Sequence, residues 1–207
     1  PKTNSENKDI TFAVTIPVPD PRTGNKLVEW SVVVEKDGKA VRTYNNEKLG
    51  LTPPDTIVFD GNDDNGNLLK DGDDQAVVNA KYLNGYVPAK ISSPVLVLDT
   101  QRPVAQITVD SADKVFGAGS KDTTLFKISN SPDSGSPIEN WTGKIVTADG
   151  KKVIKTYNLG QYPPEAVSWN GINGDGAIAD KGDYVFTLEG LDAAGNKGVM
   201  TSVEVTF

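Results

Sequence analysis

Cysteine and histidine are both absent from this chain of 207 residues. The missing histidine removes the commonest general base, the imidazole metal ligand and any Ser-His-Asp triad. The missing cysteine fits an exported bacterial protein as well as a cytosolic one. It speaks against a eukaryotic extracellular module, where disulfides are common. No run approaches the roughly 18 apolar residues of a membrane span. Positive charge is also short: 21 Lys and Arg stand against 28 Asp and Glu, for a net charge of -7, and there is no polybasic run. Nucleic acid and anionic membranes are therefore poor partners, since little here would replace their counterions. No signal peptide is visible. The chain opens at "PKTNSENKD" without methionine and reads as a mature protein or a piece cut from a longer one.

What the chain does contain is a doubled pattern. "LGLTPPDTIVFDG" (Leu49 to Gly61) lines up with "LGQYPPEAVSWNG" (Leu159 to Gly171) at a constant shift of 110 residues. The shift holds at Gly66 and Gly176 and at Gly72 and Gly182. Upstream it is 111 from Trp30 to Trp141, 112 from Asp37-Gly38 to Asp149-Gly150, and 113 from Tyr44 to Tyr157. Fixed frames with small slips at turns mark duplicated domains, which usually run to about 100–150 residues. The boundary falls near "LDTQRPVAQITV" (Leu98 to Val109), giving units at 1–100 and 104–207. Pro103 stiffens this short joint by fixing φ.

The hydrophobic period is two. Tyr184, Phe186 and Leu188 alternate with Val185, Thr187 and Glu189, and Ala76, Val78, Ala80 and Tyr82 take the inward places of the first copy. Asp37-Gly38 and Asp149-Gly150 are hairpin signals between β-rich runs. No segment carries a helical stripe. Short strands with turn signals about every ten residues predict an all-β chain of two antiparallel sandwiches.

The run from Trp169 to Asn196, W-N-G-x-N-G-D-G, then G-D-Y-x-F-x-L, then D-x-A-G-N, resembles the signature of bacterial Ig-like domains of the FlgD type. The first unit departs from it. Phe59 stands for the Trp, Asp74 for the Tyr, and "LNGYVP" (Leu83 to Pro88) for the D-A-A-G-N turn. The resemblance implies two consecutive Ig-like, fibronectin-III-like β-sandwiches in an exported periplasmic or cell-surface protein. Such modules act as spacers or interaction modules of a larger protein. The partners implied are other domains of that protein, or an envelope or host protein or glycan held by loops.

The candidate sites each have two readings. "FDGNDDNGNLLKDGDD" (Phe59 to Asp74) holds six aspartates and one lysine. Asp60, Asn62 and Asp64 have the spacing of a calcium loop, with Asp71 at its twelfth place. Asn65 stands where the loop glycine is needed, and Ile172, which cannot ligate, takes the place of Asn62, the loop's third position, in the second copy. The stretch is thus a turn in both copies, with a weak calcium site possible only in the first. Trp30, Trp141 and Trp169 are read as core rather than as a sugar platform, and Tyr86 and Tyr162 as exposed. Loops 17–26 and 130–137 are connections that could also bind. No G-x-S-x-G element is present, and no enzyme is expected.

Overall fold

A computed structural model of the chain describes residues 9–117, 122–130 and 135–207. It divides into two compact units, Pro1–Thr100 and Gln101–Phe207. In the first, β1 (Ile10–Ala13) is followed by β2 (Leu27–Lys36), β3 (Lys39–Asn45), a helical turn α1 (Asn46–Leu49), β4 (Thr56–Phe59), β5 (Gly72–Tyr82), β6 (Ile91–Ser92) and β7 (Leu96–Leu98). In the second come β8 (Ala105–Thr108), β9 (Thr124–Asn130), β10 (Ile138–Thr147), β11 (Val153–Gly160), β12 (Ala166–Trp169), β13 (Asp183–Asp192), β14 (Lys197–Thr201) and β15 (Val205–Thr206).

The second unit pairs β8, β9 and β12 in one antiparallel sheet, and β11, β10, β13 and β14 in the other, with β15 on the end of β13. The first unit repeats this order as β1-β4 and β3-β2-β5-β6, with β7 on β5. Among the described residues it has no strand at the place of β8. Three strands against four, with the chain crossing between sheets, is the arrangement of an Ig-like, fibronectin-III-like sandwich. The expected fold class is the one observed.

Each core forms where the two inner faces meet. Trp141, Tyr184, Phe186 and Leu188 of the larger sheet pack on Phe126, Val167 and Trp169 of the smaller one. Phe126 stacks on Phe186 at 5.0 Å, and Trp169 meets Tyr184 edge-on at 4.9 Å. In the first unit Trp30, Val32 and Ala76 pack with Ile16 and Ile57. The equivalent tryptophans Trp30 and Trp141 are each 2% exposed, and each follows a bulge in its strand. A tyrosine on the edge strand ties the sheets together in both units. Tyr44 donates to the Val58 carbonyl at 3.0 Å and Tyr157 to the Ser168 carbonyl at 3.3 Å. Burial pushes the Tyr157 hydroxyl up to about 12.

The hairpin signals resolve differently. Asp37 (φ 52°) and Gly38 (φ 72°) make a two-residue turn, with Lys36 opposite Lys39. Asp149 and Gly150 lie in a longer loop closed from Thr147 to Lys152. Pro103, read from sequence as linker, is a buried part of the second unit. It lies against Gly190 and Gly198, which face each other across β13 and β14.

The two cores trade volume at matching places. A Cβ on Gly143 would come within 2.6 Å of the Phe186 ring. The first unit has Val32 and Ala76 at those positions. Gly143→Val should therefore cost about 1–3 kcal/mol through overpacking, and Phe186→Ala about 3–5 kcal/mol through the cavity it leaves. The double variant restores the first unit's combination. Urea unfolding should find its cost below the sum of the single costs by on the order of 1 kcal/mol. Simple additivity would contradict this packing account.

Candidate functional site

The acidic stretch is the same turn in both units. Its backbone leaves one sheet for the other, so ladder partners are missing and side chains replace them. Asp63 Oδ1 accepts the N–H groups of Asn65 (2.9 Å) and Asn67 (2.8 Å). Asn173 Oδ1 accepts those of Asp175 (3.0 Å) and Ala177 (2.9 Å) in the same way. Asp60 and Asn170 each accept from the residue two places on. Gly66 and Gly176 adopt φ of 82° and 84° at the tip, a conformation that glycine enters without strain.

The four calcium candidates go separate ways. Asp60 caps the N–H of Asn62, and Asn62 bridges to Leu68. Asp64 pairs with Lys48 Nζ at 2.9 Å. Asp71 accepts from the Thr100 N–H (3.0 Å) and hydroxyl (2.9 Å). Among the described residues no group of three or more His, Cys, Asp or Glu is placed to hold a metal ion.

Internal bonding also sets the charges. Hydrogen bonds from Asn67 hold the Asp63 carboxyl below its ordinary value of 3.8, and the Lys48 contact does the same for Asp64. At Asp60 burial pushes upward but is outweighed by the bonds from Asn62 and the charge of Arg42. Asp74 moves the other way. Burial raises it, and Lys36, 3.5 Å away, only partly compensates. Asp74 Oδ1 is buried without a hydrogen-bond partner, where the second unit places Tyr184 with its hydroxyl on the Asp180 carbonyl.

Trp30, Trp141 and Trp169 are buried, so no indole forms a platform at the surface. Tyr86 and Tyr162 are 60% and 85% exposed. Tyr86 belongs to a turn that sequence reasoning read as replaced. Residues 82–86 close like residues 192–196: Tyr82 N–H bonds the Tyr86 carbonyl as Asp192 N–H bonds that of Asn196. The staple differs. Asp192 accepts both the backbone and side-chain N–H of Asn196. Tyr82 instead stacks on Tyr86, with ring centroids 6.0 Å apart, and donates to the Pro17 carbonyl. Loop 17–26 is thereby tied to this turn, and Val18, Leu83, Tyr86 and Val87 are exposed around it. Of loop 130–137, residues 131–134 lie outside the described residues.

Next to Val87 lies a groove of about 450 Å³ on the larger sheet of the first unit, lined also by Glu29, Ser31, Asn46, Asn79 and Lys81. It was not visible in the sequence because its residues come from three separate segments. The available signal was the drop in repeat shift from 113 at Tyr44 to 110 at Leu49. That drop marks extra residues in the first copy, and they form α1.

No family model and no curated protein matches the chain. Among solved structures it is similar to fibronectin(III)-like modules of Clostridium thermocellum CbhA, at 16% identity and a TM-score of 0.41, covering 97% of this chain and 85% of that one. It is similar to the FN1-FN3 domains of chicken CNTN1 at 14% identity and a TM-score of 0.40, over 86% of this chain and 55% of that one. A Ca2+-stabilized, ice-binding adhesin of an Antarctic bacterium matches at 19% identity and a TM-score of 0.39, over 88% of this chain and 43% of that one.

Because Asn173 accepts the two matching backbone N–H groups without charge, Asp63→Asn should lower the melting temperature at pH 7 by less than Asp63→Ala does, losing only the Asn67 side-chain bond and the charge that it favours. Asp63→Ala should lower it by a few degrees, on the order expected for lost turn bonds. Asp74 has a raised folded value, so its ionised form opposes folding at neutral pH. That opposition fades as pH falls through the raised value. The stability advantage of Asp74→Asn over the parent should accordingly be largest near pH 7 and shrink toward pH 4, measured by denaturant titration at each pH.

Proposed function

We propose that the chain is a non-enzymatic tandem Ig-like spacer and interaction module, of FlgD type, in a larger exported bacterial envelope or surface protein. One observation carries this reading. The residues kept at matching places of the two units are engaged in holding the sandwich. Trp30 and Trp141 fill the cores. Tyr44 and Tyr157 tie sheet to sheet. Asp63 and Asn173 satisfy the same turn. What was duplicated is a folding pattern, and no histidine, cysteine or nucleophile motif was duplicated with it. Among the described residues no helix is long and apolar enough to cross a membrane.

A binding role on top of the spacer role is supported by the loop end of the first unit. Val18, Leu83, Tyr86 and Val87 are exposed there, while the matching turn of the second unit is built on Asp192 and Asn196. Exposed apolar groups on tied loops suit an adhesin-type contact with an envelope or host protein or glycan.

The reading expects no turnover on ester, glycoside, peptide and phosphomonoester panels. Steady turnover abolished by one point substitution would overturn it. Calcium separates the spacer from a calcium-stiffened rod. A cation that binds only the folded state raises its midpoint by mass action. The melting temperature should be the same in EDTA and in millimolar calcium, and a rise with calcium would favour the rod.

A further inference from the structure

The groove of the first unit has a cause that the second unit makes visible. In the second unit β10 is flanked at this end of the sheet by β11 on one side and β13 on the other, and β13 in turn by β14. Trp141 pairs with Gly160, and Glu189 with Val199. In the first unit both outer strands stop short. β3 ends at Asn45 and the chain turns away into α1, so the Trp30 N–H is taken by Asn46 Oδ1 at 3.1 Å instead of a ladder carbonyl. β6 pairs only with Val77 and Val78, leaving Asn79 to Lys81 without it. Between α1 and Val87 the outer face of β2 and β5 is thus a trough.

Polar residues floor it in register. Asn45, Ser31 and Asn79 form one row across β3, β2 and β5, and Glu29 and Lys81 form the next. The row is held by its own bonds. Asn79 Nδ2 donates to Ser31 Oγ at 3.2 Å, and Lys81 pairs with Glu29 at 3.0 Å. This fixes Asn79 with its Oδ1, and Asn46 with its Nδ2, unpartnered among the described residues. The Glu29–Lys81 pair cancels its own charge, and Glu47 adds a carboxylate to the rim.

We infer that this trough is a binding site for a neutral saccharide segment. Sugar hydroxyls both donate and accept, and fixed side-chain amides answer both needs. The exposed Val87 gives a wall for the apolar face of a sugar ring. A volume of about 450 Å³ lies within the range of small-ligand sites, about 300–1,000 Å³. Glu47 disfavours acidic glycans. The second unit has Glu189 and Leu191 where the first has Asn79 and Lys81, and lacks the inserted turn, so the site belongs to the first unit alone. The inference rests on the interaction arm of the proposed function and assigns it a ligand class.

The test is a chemical-shift titration of the isotope-labelled full chain with cellobiose, maltose, lactose and chitobiose. A hyaluronan tetrasaccharide and a blocked Ser/Thr hexapeptide serve as comparison arms. The expected result is saturable movement of the Ser31, Asn46, Asn79 and Lys81 amides with at least one neutral sugar. The double variant Asn79→Glu, Lys81→Leu carries the residues found at these places in the second unit, so it keeps the sandwich, which its melting curve checks. Its affinity should fall by about tenfold or more, the loss expected when paired polar groups are removed. No movement with any neutral sugar, movement only with hyaluronan or the peptide, or undiminished binding by the double variant would each overturn the site. Such a failure without turnover removes the groove and leaves the spacer reading in place, whereas turnover removes the spacer reading whatever the groove does.

Discussion

The crossing from the smaller sheet to the larger one, at residues 59–72 and 169–182, is the constraint on which each sandwich depends. A chain that leaves a sheet leaves its ladder of hydrogen bonds, and the freed backbone groups need other partners. One side-chain oxygen, on Asp63 or Asn173, supplies two of them. The turn is then docked on the edge strand of the larger sheet, where Asp64 N–H reaches the Val41 carbonyl and Gly174 N–H the Ile154 carbonyl. The aromatic at the head of the turn, Phe59 or Trp169, is buried as a consequence, and the next strand starts where its inward residues can meet it. The aspartates of the first copy decorate this device, and their charge is not what makes it close.

The same separation of backbone from side chain recurs elsewhere. The turn at 82–86 keeps the hydrogen bonds of the turn at 192–196 while an aromatic stack replaces a carboxylate–amide clasp. Large and small residues exchange places between Phe186 over Gly143 and Ala76 beside Val32. Cores accept such swaps when total volume and patterning are kept. Asp74 is the place where the exchange is poorly compensated, since its buried Oδ1 has no partner and Lys36 sits at the limit of pairing distance.

Much of this was legible in the residues. Constant shifts exposed the duplication, period-two alternation gave the strands, and repetition of Trp30 as Trp141 marked a core position, because those signals are local or copied. The all-β sandwich followed from them. The exposed Tyr86 and Tyr162 were also readable, as large side chains in turn-rich segments. Other features were hidden for physical reasons. The turn at Tyr82 looked replaced because its identity lies in backbone bonds, which tolerate almost any residue around Gly85. Pro103 looked like a stiffened linker because its contacts, Gly190 and Gly198, are distant in sequence. α1 is one turn held by the Asn45 side chain on Lys48 N–H, far below the length at which a helical stripe can be detected. The groove depends on all of these non-local placements together.

The departures of the first unit are not scattered. The inserted α1, the shortened β6, the aromatic clasp at Tyr82 and the exposed Leu83, Tyr86 and Val87 all gather toward one end of its larger sheet. A unit needed only to hold distance would gain nothing from losing ladder pairs there, because unpaired strand edges invite unwanted association. The charges and amides that line this end, Glu29, Lys81, Asn79 and Asn46, keep such an edge from pairing with another strand. They also create directed polar groups in a defined trough. Under the proposed function, structural cost concentrated at one place in the first unit, and avoided at the matching place of the second, is what a scaffold that opens one unit for contact would show.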